Sequence, residues 1–212
     1  MIGPMELYAR LVAACGQPLW WSKDPMVILV ESILVQHTKW SKVRQTVLEQ
    51  PSLTQPEELL AMGREALAEL IRPTGFHQAK SNTILALMAW YRQYGFAAER
   101  VKAQDQAVIR NELLAIRGIG EETADVILVY AFHQPSFIID AYTRRLLSRL
   151  GLNLTNDRAI RSYFESCLPR DHEIYGSLHW LILEHCIQTC RTKPDCPGCP
   201  LQSNCQFGQM KE

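Results

Sequence analysis

Apolar residues recur at spacings of three and four along most of the chain, and β-branched residues do not alternate with polar ones. Such spacing is typical of amphipathic helices, whereas alternation would indicate strands. Residues 26–30 form an apolar run that resembles a strand, but helical spacing continues through residues 31–35 without a turn residue. The pattern therefore predicts an all-α protein.

The first long helix is predicted to begin with Asp24 as its N-cap and Pro25 at its first helical position. Prolines and glycines separate it from later helical segments. We predict these further helices over about 40–49, 56–62, 64–71, 79–94, 107–116, 121–132, 141–150, 157–167 and 174–188.

Composition limits the class of protein. A chain of 212 residues with 47% hydrophobic residues can bury the core of one large domain or of two small ones. The net charge of +0 gives no overall field to attract nucleic acid, so such binding would depend on local basic groups and backbone amides. Neither a signal-peptide pattern nor a membrane-length apolar run is present, which predicts a soluble, cytoplasmic protein without a membrane partner.

Four of the seven cysteines lie between residues 190 and 205. They follow a C-x5-C-x2-C-x5-C spacing, formed by Cys190, Cys196, Cys199 and Cys205. Four thiols so close together indicate a metal site in a reducing compartment, either zinc or an iron–sulfur cluster. The other three, Cys15, Cys167 and Cys186, are expected to be buried free thiols.

A second candidate site lies near the middle of the chain, where Gly118-Ile119-Gly120 separates two helical stretches. Backbone N–H groups in such a turn can approach a phosphate without interference from Cβ atoms. Asp140 follows twenty residues after Gly120 and precedes a predicted helix, so it caps that helix. A carboxylate there can also stabilise the cationic sugar that develops as an N-glycosidic bond breaks.

In this order and at these spacings, the motifs resemble the helix-hairpin-helix DNA glycosylases, in the endonuclease III branch that carries an iron–sulfur cluster. The resemblance implies a six-helix domain over 22–134 and a second domain formed by 1–21 and 135–212, with the substrate cleft between them. It also implies that Gly118 and Gly120 bind a DNA phosphate and that Asp140 is catalytic. The four clustered cysteines would hold [4Fe-4S], with zinc as the alternative.

The hairpin departs from the family pattern at one position. Endonuclease III continues Gly-Arg-Lys-Thr-Ala and uses the lysine to form a Schiff base, whereas this chain has Glu122 at that place. A carboxylate cannot form an imine. We therefore expect a glycosylase without lyase activity.

Aromatic residues suggest the substrate. Trp20, Trp21 and Trp40, together with the Leu-Val-Gln-x-Thr-Lys-aromatic segment, are similar to the 3-methyladenine glycosylases of this branch. An electron-rich pocket suits a base that carries positive charge. The resemblance further implies DNA contacts from Gln36 and from the loop containing His77.

Lys193 near the cysteine cluster is a further candidate for contact with the DNA backbone. These features predict a monomeric, monofunctional glycosylase that removes alkylated purines from double-stranded DNA containing a damaged base. Two alternatives remain open: a glycosylase for oxidised pyrimidines or mispaired adenine, and a DNA-binding module that has lost catalysis.

Overall fold

The computed structural model describes residues 2–210, and every regular element in that range is helical. The α-helices are α1 (Pro4–Cys15), α2 (Pro25–Leu34), α3 (Trp40–Glu49), α4 (Pro56–Leu70), α5 (His77–Arg92), α6 (Ala98–Lys102), α7 (Gln106–Ala115), α8 (Glu121–Val126), α9 (Ala141–Leu150), α10 (Asp157–Glu165), α11 (His172–Gln188) and α12 (Gln206–Gln209). A π-helical segment, Ile127–Ala131, continues α8, and 3₁₀ turns occur at Pro51–Thr54, Arg72–Thr74 and Gln202–Asn204. The all-α prediction is confirmed for this range.

The predicted boundaries of α3 and α9 coincide with those observed. The two helices predicted on either side of residue 63 are observed as the two helical stretches of α4, which are separated at Gly63, where φ is +78° and the backbone is not helical. Glycine tolerates this left-handed backbone, which explains why the break falls there. The predicted helices do not include α1, α6 and α12, so the prediction was wrong at these three places.

Residues 21–134 form one compact unit. In it α4 packs on α5, and α2 packs on α5 and on the π-helical segment. Nearly the whole of α2 is buried, including the consecutive residues Ile28, Leu29 and Val30. Trp21, expected in the other domain, lies in this unit.

Residues 2–20 and 135–210 form the other unit, in which α11 packs against α1 and α9. Phe137 and Phe164 stack in its core with ring centroids 3.9 Å apart, and Tyr175 meets Phe137 edge to face. Asp140 follows the buried residues 137–139 directly, so this core fixes the start of α9.

Among the helices of residues 2–210, none combines the length and the apolar character needed to span a bilayer.

Candidate active site and cysteine cluster

The turn between α7 and α8 is held by contacts that require a glycine. Gly118 has φ +96°, and a Cβ atom there would lie 2.2 Å from Oγ1 of Thr83. That hydroxyl donates to the carbonyl of Arg117 at 3.0 Å and therefore supports the turn from α5. A side chain at Gly118 would overlap with Thr83, and it would also be strained by the left-handed backbone at this position.

Gly120 differs from Gly118 in its surroundings. Its backbone is extended, and no described heavy atom lies within 4 Å of the place a Cβ atom would take. The backbone at the start of α8 is therefore open to approach by an external group. Helix N-termini attract anions, so a phosphate suits this position.

Gln36 supports the same turn from the segment that follows α2. Its side-chain amide donates to the carbonyl of Gly118 and to Oγ1 of Thr123, both at 3.1 Å. The sequence predicts a DNA contact for Gln36. In the structure this half-buried amide stabilises the turn between α7 and α8.

Asp140 caps α9, as predicted. Its Oδ1 accepts from the backbone N–H of Thr143 at 2.7 Å, and its Oδ2 lies 3.7 Å from Nε2 of His179. Burial raises the pKa of this carboxyl group, but His179 and the Thr143 amide outweigh that effect, so the pKa lies below its usual value. Asp140 is therefore a buried, ionised carboxylate at neutral pH.

Of the three tryptophans proposed for base recognition, Trp21 and Trp40 lie together in one aromatic group. Trp21 meets Trp40 edge to face at 4.8 Å and Tyr130 at 5.7 Å. Trp20 instead meets His172 edge to face at 5.9 Å. Trp40 is 43% exposed, so part of its ring is open to a ligand.

Glu31, which the sequence analysis did not single out, lies behind this aromatic group. Its Oε2 accepts from Nε1 of Trp21 at 2.6 Å, and its Oε1 lies 3.4 Å from Nη1 of Arg44. A charged residue inside an apolar helical run was a visible signal in the sequence.

The loop before α5 holds further candidates for DNA contact. His77 begins α5 and is half-buried, whereas the preceding Phe76 is 67% exposed with φ +47°. The ring of Phe76 lies 5.8 Å from that of His37, which also has a positive φ. Two adjacent loops therefore present neighbouring aromatic rings to solvent.

Lys80 ties these two loops together. Its buried ammonium group donates at 2.8 Å to each of three oxygens, which belong to Leu34, Thr38 and Thr74. Burial lowers its pKa to about 8. Three acceptors match the three donors of an ammonium group, so Lys80 is charged at neutral pH and fully engaged within the protein.

The four clustered cysteines line one cavity. Within residues 2–210 no three potential metal-binding side chains lie close enough to ligate a single ion. A cavity walled by four soft sulfur ligands fits an iron–sulfur cluster, because thiolates are its usual ligands. Lys193 lies on the same loop and is exposed.

Arg149 fixes the first cysteine of the cluster. Its guanidinium group donates to Sγ of Cys190 at 3.1 Å and to the carbonyl oxygens of Cys190 and Arg191. Hydrogen bonds from Cys186, His185 and Arg149 lower the pKa of Cys190. Its sulfur therefore favours the thiolate form that binds metals.

Among the remaining cysteines, Cys186 is buried and Cys15 is half-buried. Cys167 is exposed, so the prediction that it is buried was wrong. It lies beyond the end of α10, where the chain turns at the surface.

A family model described as "HhH-GPD superfamily base excision DNA repair protein" matches residues 30–170, well over half of the chain. The chain belongs to the HhH-GPD superfamily. It is a DNA glycosylase of base excision repair, and the resemblance found in the sequence is confirmed.

Relatives in this superfamily extend over nearly the full length. A protein of Methanocaldococcus jannaschii named as a DNA repair glycosylase is 38% identical over 209 residues, which is 94% of each chain. An endonuclease III–DNA complex has a TM-score of 0.79 with 21% identity, covering 100% of this chain and 99% of that one.

The Helicobacter pylori 3-methyladenine DNA glycosylase bound to 1,N6-ethenoadenine has a TM-score of 0.75 with 23% identity, covering 88% of this chain and 98% of that one. At such identities the two solved structures show a shared HhH-GPD fold and leave the substrate open.

Proposed function

We propose that this HhH-GPD protein is a monofunctional glycosylase that removes cationic alkylated purines of the 3-methyladenine type. The observation that carries the proposal is the group formed by Trp21, Trp40 and Tyr130, in which Trp40 is 43% exposed. Electron-rich rings attract a base that carries positive charge. A purine methylated at N3 or N7 carries such a charge while it is attached to the sugar.

Asp140 is the proposed catalytic residue. The C1′–N bond breaks with its electron pair leaving on the purine, which becomes neutral because it was cationic. Water then supplies the oxygen that bonds to C1′ and releases one proton to solvent. The ionised carboxylate of Asp140 stabilises the positive charge on the sugar, and His179 at 3.7 Å orients that carboxylate.

A cationic leaving group also explains why so few catalytic groups are needed. The purine departs without being protonated, so no general acid has to act on the base. One buried carboxylate and a stacking surface are sufficient for this chemistry.

The proposal excludes strand cleavage through an imine. Glu122, at the place of the family's lysine, is an exposed residue in the first turn of α8. Lys80 is buried, and its ammonium group already has three acceptors. The expected product is therefore an intact strand with an abasic site.

For the cluster we propose that Cys190, Cys196, Cys199 and Cys205 hold [4Fe-4S]. When bound, the group supplies iron–thiolate bonds that cross-link the C-terminal loop. Arg149 supports this assignment, because it already fixes Cys190 and the following backbone. Lys193 on that loop would then contact the DNA backbone.

Chromatography of the bases released from methylated DNA tests the function. We expect 3-methyladenine or 7-methylguanine in the soluble fraction, and Trp40→Ala should lose about 1–3 kcal/mol of base recognition. Affinity for DNA with an abasic-site analogue should stay unchanged, because that ligand has no base to stack. Leu48→Ala is the matched control, since Leu48 is a 72% exposed apolar residue on the same helix.

Two results would contradict the proposal. Release of oxidised pyrimidines or mispaired adenine in place of methylated purines would assign a different substrate class. Equal losses by Trp40→Ala on damaged DNA and on the abasic analogue would show that Trp40 serves packing and does not bind the base.

A further inference from the structure

Glu31 is an acidic residue at a place where the fold of its unit does not require one. It lies within α2 with 0% exposure, and most of its neighbours along the helix are buried aliphatic residues. The pKa of this carboxyl group is raised, because burial outweighs the opposing effects of the Trp21 indole and Arg44. A buried carboxylate is costly unless it is well compensated.

The compensation at Glu31 comes from two unequal partners. The bond from Nε1 of Trp21 is short, 2.6 Å, whereas Arg44 lies at 3.4 Å and its side chain is 42% exposed. A neutral glutamine would accept the indole N–H equally well and would cost less to bury. Orientation of Trp21 alone therefore does not explain the negative charge.

The charge has a direct effect on the aromatic group. A carboxylate bonded to the N–H edge of an indole polarises the ring and makes its faces more electron-rich. Trp21 in turn contacts Trp40 and Tyr130, so the negative charge lies behind the whole group. Rings with more electron density on their faces attract cations more strongly and neutral bases hardly more.

We propose that Glu31 is a positioning and specificity-determining residue, which holds the Trp21 ring and makes the aromatic group select cationic purines over neutral ones. Glu31 acts through Trp21 and does not touch the base itself. The inference rests on the proposed function, because it takes Trp21 and Trp40 as the surface that receives the base.

The test compares the binding of two nucleosides to the intact protein. 1-Methyladenosine is cationic at neutral pH, and adenosine is neutral. NMR titrations follow the indole N–H signal of Trp21, assigned among the five tryptophans with Trp21→Phe. We expect the unmodified protein to prefer the cation, and Glu31→Gln to reduce that preference about tenfold without changing the affinity for adenosine.

Arg44→Gln provides the matched second variant. It removes the positive charge that faces Glu31 and leaves the bond to Trp21 in place. Because Arg44 lowers the pKa of Glu31, its loss favours the neutral carboxyl group, so the preference for the cation should disappear at a higher pH than in the unmodified protein. This variant keeps the inference testable if Glu31→Gln fails to fold, because Arg44 is on the surface.

Two outcomes would overturn the inference. If Glu31→Gln weakens binding of both nucleosides equally, Glu31 only holds the ring in place. If the preference of Arg44→Gln for the cation has the same pH dependence as that of the unmodified protein, a role for the charge is also refuted. Base release from methylated DNA is measured separately with the unmodified protein. Absence of that activity would contradict the proposed function and is therefore distinguishable from failure of the inference about Glu31.

Discussion

Replacement of Asp140 by asparagine separates catalysis from folding. Asparagine and aspartate are equally good N-caps, so the backbone N–H of Thr143, now 2.7 Å from the carboxylate, keeps its acceptor. The interaction with His179 at 3.7 Å is lost, and we expect a decrease of about 1 kcal/mol in the free energy of unfolding. The folded protein should remain able to bind DNA.

Catalysis should suffer far more than stability. The asparagine carries no charge at the position where the sugar becomes cationic, so we expect base release to fall about 100-fold or more. That factor corresponds to about 2.7 kcal/mol of transition-state stabilisation. Single-turnover release from methylated DNA measures it, and affinity for an abasic-site analogue reports on binding.

The pH dependence supplies an independent check. Because the pKa of Asp140 is lowered, its carboxylate persists through neutral and mildly acidic pH, and activity should fall only below the usual aspartate range. The stabilisation from its ionised form is complete above the unfolded pKa and is lost as pH falls through the folded pKa. Asp140→Asn should remove this residue's contribution both to the fall of activity and to the loss of stability at low pH.

Asp105→Asn is the matched control for this substitution. Asp105 caps α7 in the same way, accepting from the backbone N–H groups of Ala107 and Val108, and it is exposed. Its replacement should leave base release unchanged. Near-normal turnover by Asp140→Asn, or an equal loss in Asp105→Asn, would refute the catalytic assignment.

Three further predictions follow from other parts of the chain. Lys80→Met should lower the free energy of unfolding by about 3 kcal/mol in denaturant titrations, because it removes the three hydrogen bonds of the ammonium group, although the carbonyl of Thr74 still accepts from the hydroxyl of Thr38. Unchanged stability would contradict the proposed link between the loops. Borohydride should trap no covalent protein–DNA adduct, since Glu122 cannot form an imine, and efficient trapping would identify another amine. The purified protein should contain about four iron and four sulfide per chain, and Cys196→Ser should reduce both. Stoichiometric zinc in protein produced under iron-replete, anaerobic conditions would refute the assignment of an iron–sulfur cluster.

The features that the sequence predicted well depend on neighbours close in the chain. The cap at Asp140 joins residues three apart, and the kink of α4 needs only the backbone freedom of Gly63. By contrast, α1 has no side-chain cap, and its N-cap is Gly3. It is stabilised by packing on α11, whose residues lie more than 150 positions away in the sequence. Local pattern carries little information about such contacts.

The partners of two buried ionisable side chains, Lys80 and Glu31, could not be predicted for the same reason. Lys80 reaches acceptors 46 and 42 residues away, and the residues that surround Glu31 are known only once α2 and α3 are packed. Composition and periodicity place both residues on helices but do not identify their partners.

Lys80 and Glu31 differ in what their burial achieves. Lys80 has one acceptor for each of its three donors, so its structural role accounts for its charge. Glu31 has one short bond, which a neutral side chain would make equally well, and one weaker contact with Arg44. Positions where a sequence departs from the pattern its fold favours, without full structural compensation, are often functional. Glu31 meets that description, and it bonds to the aromatic ring proposed to receive the base.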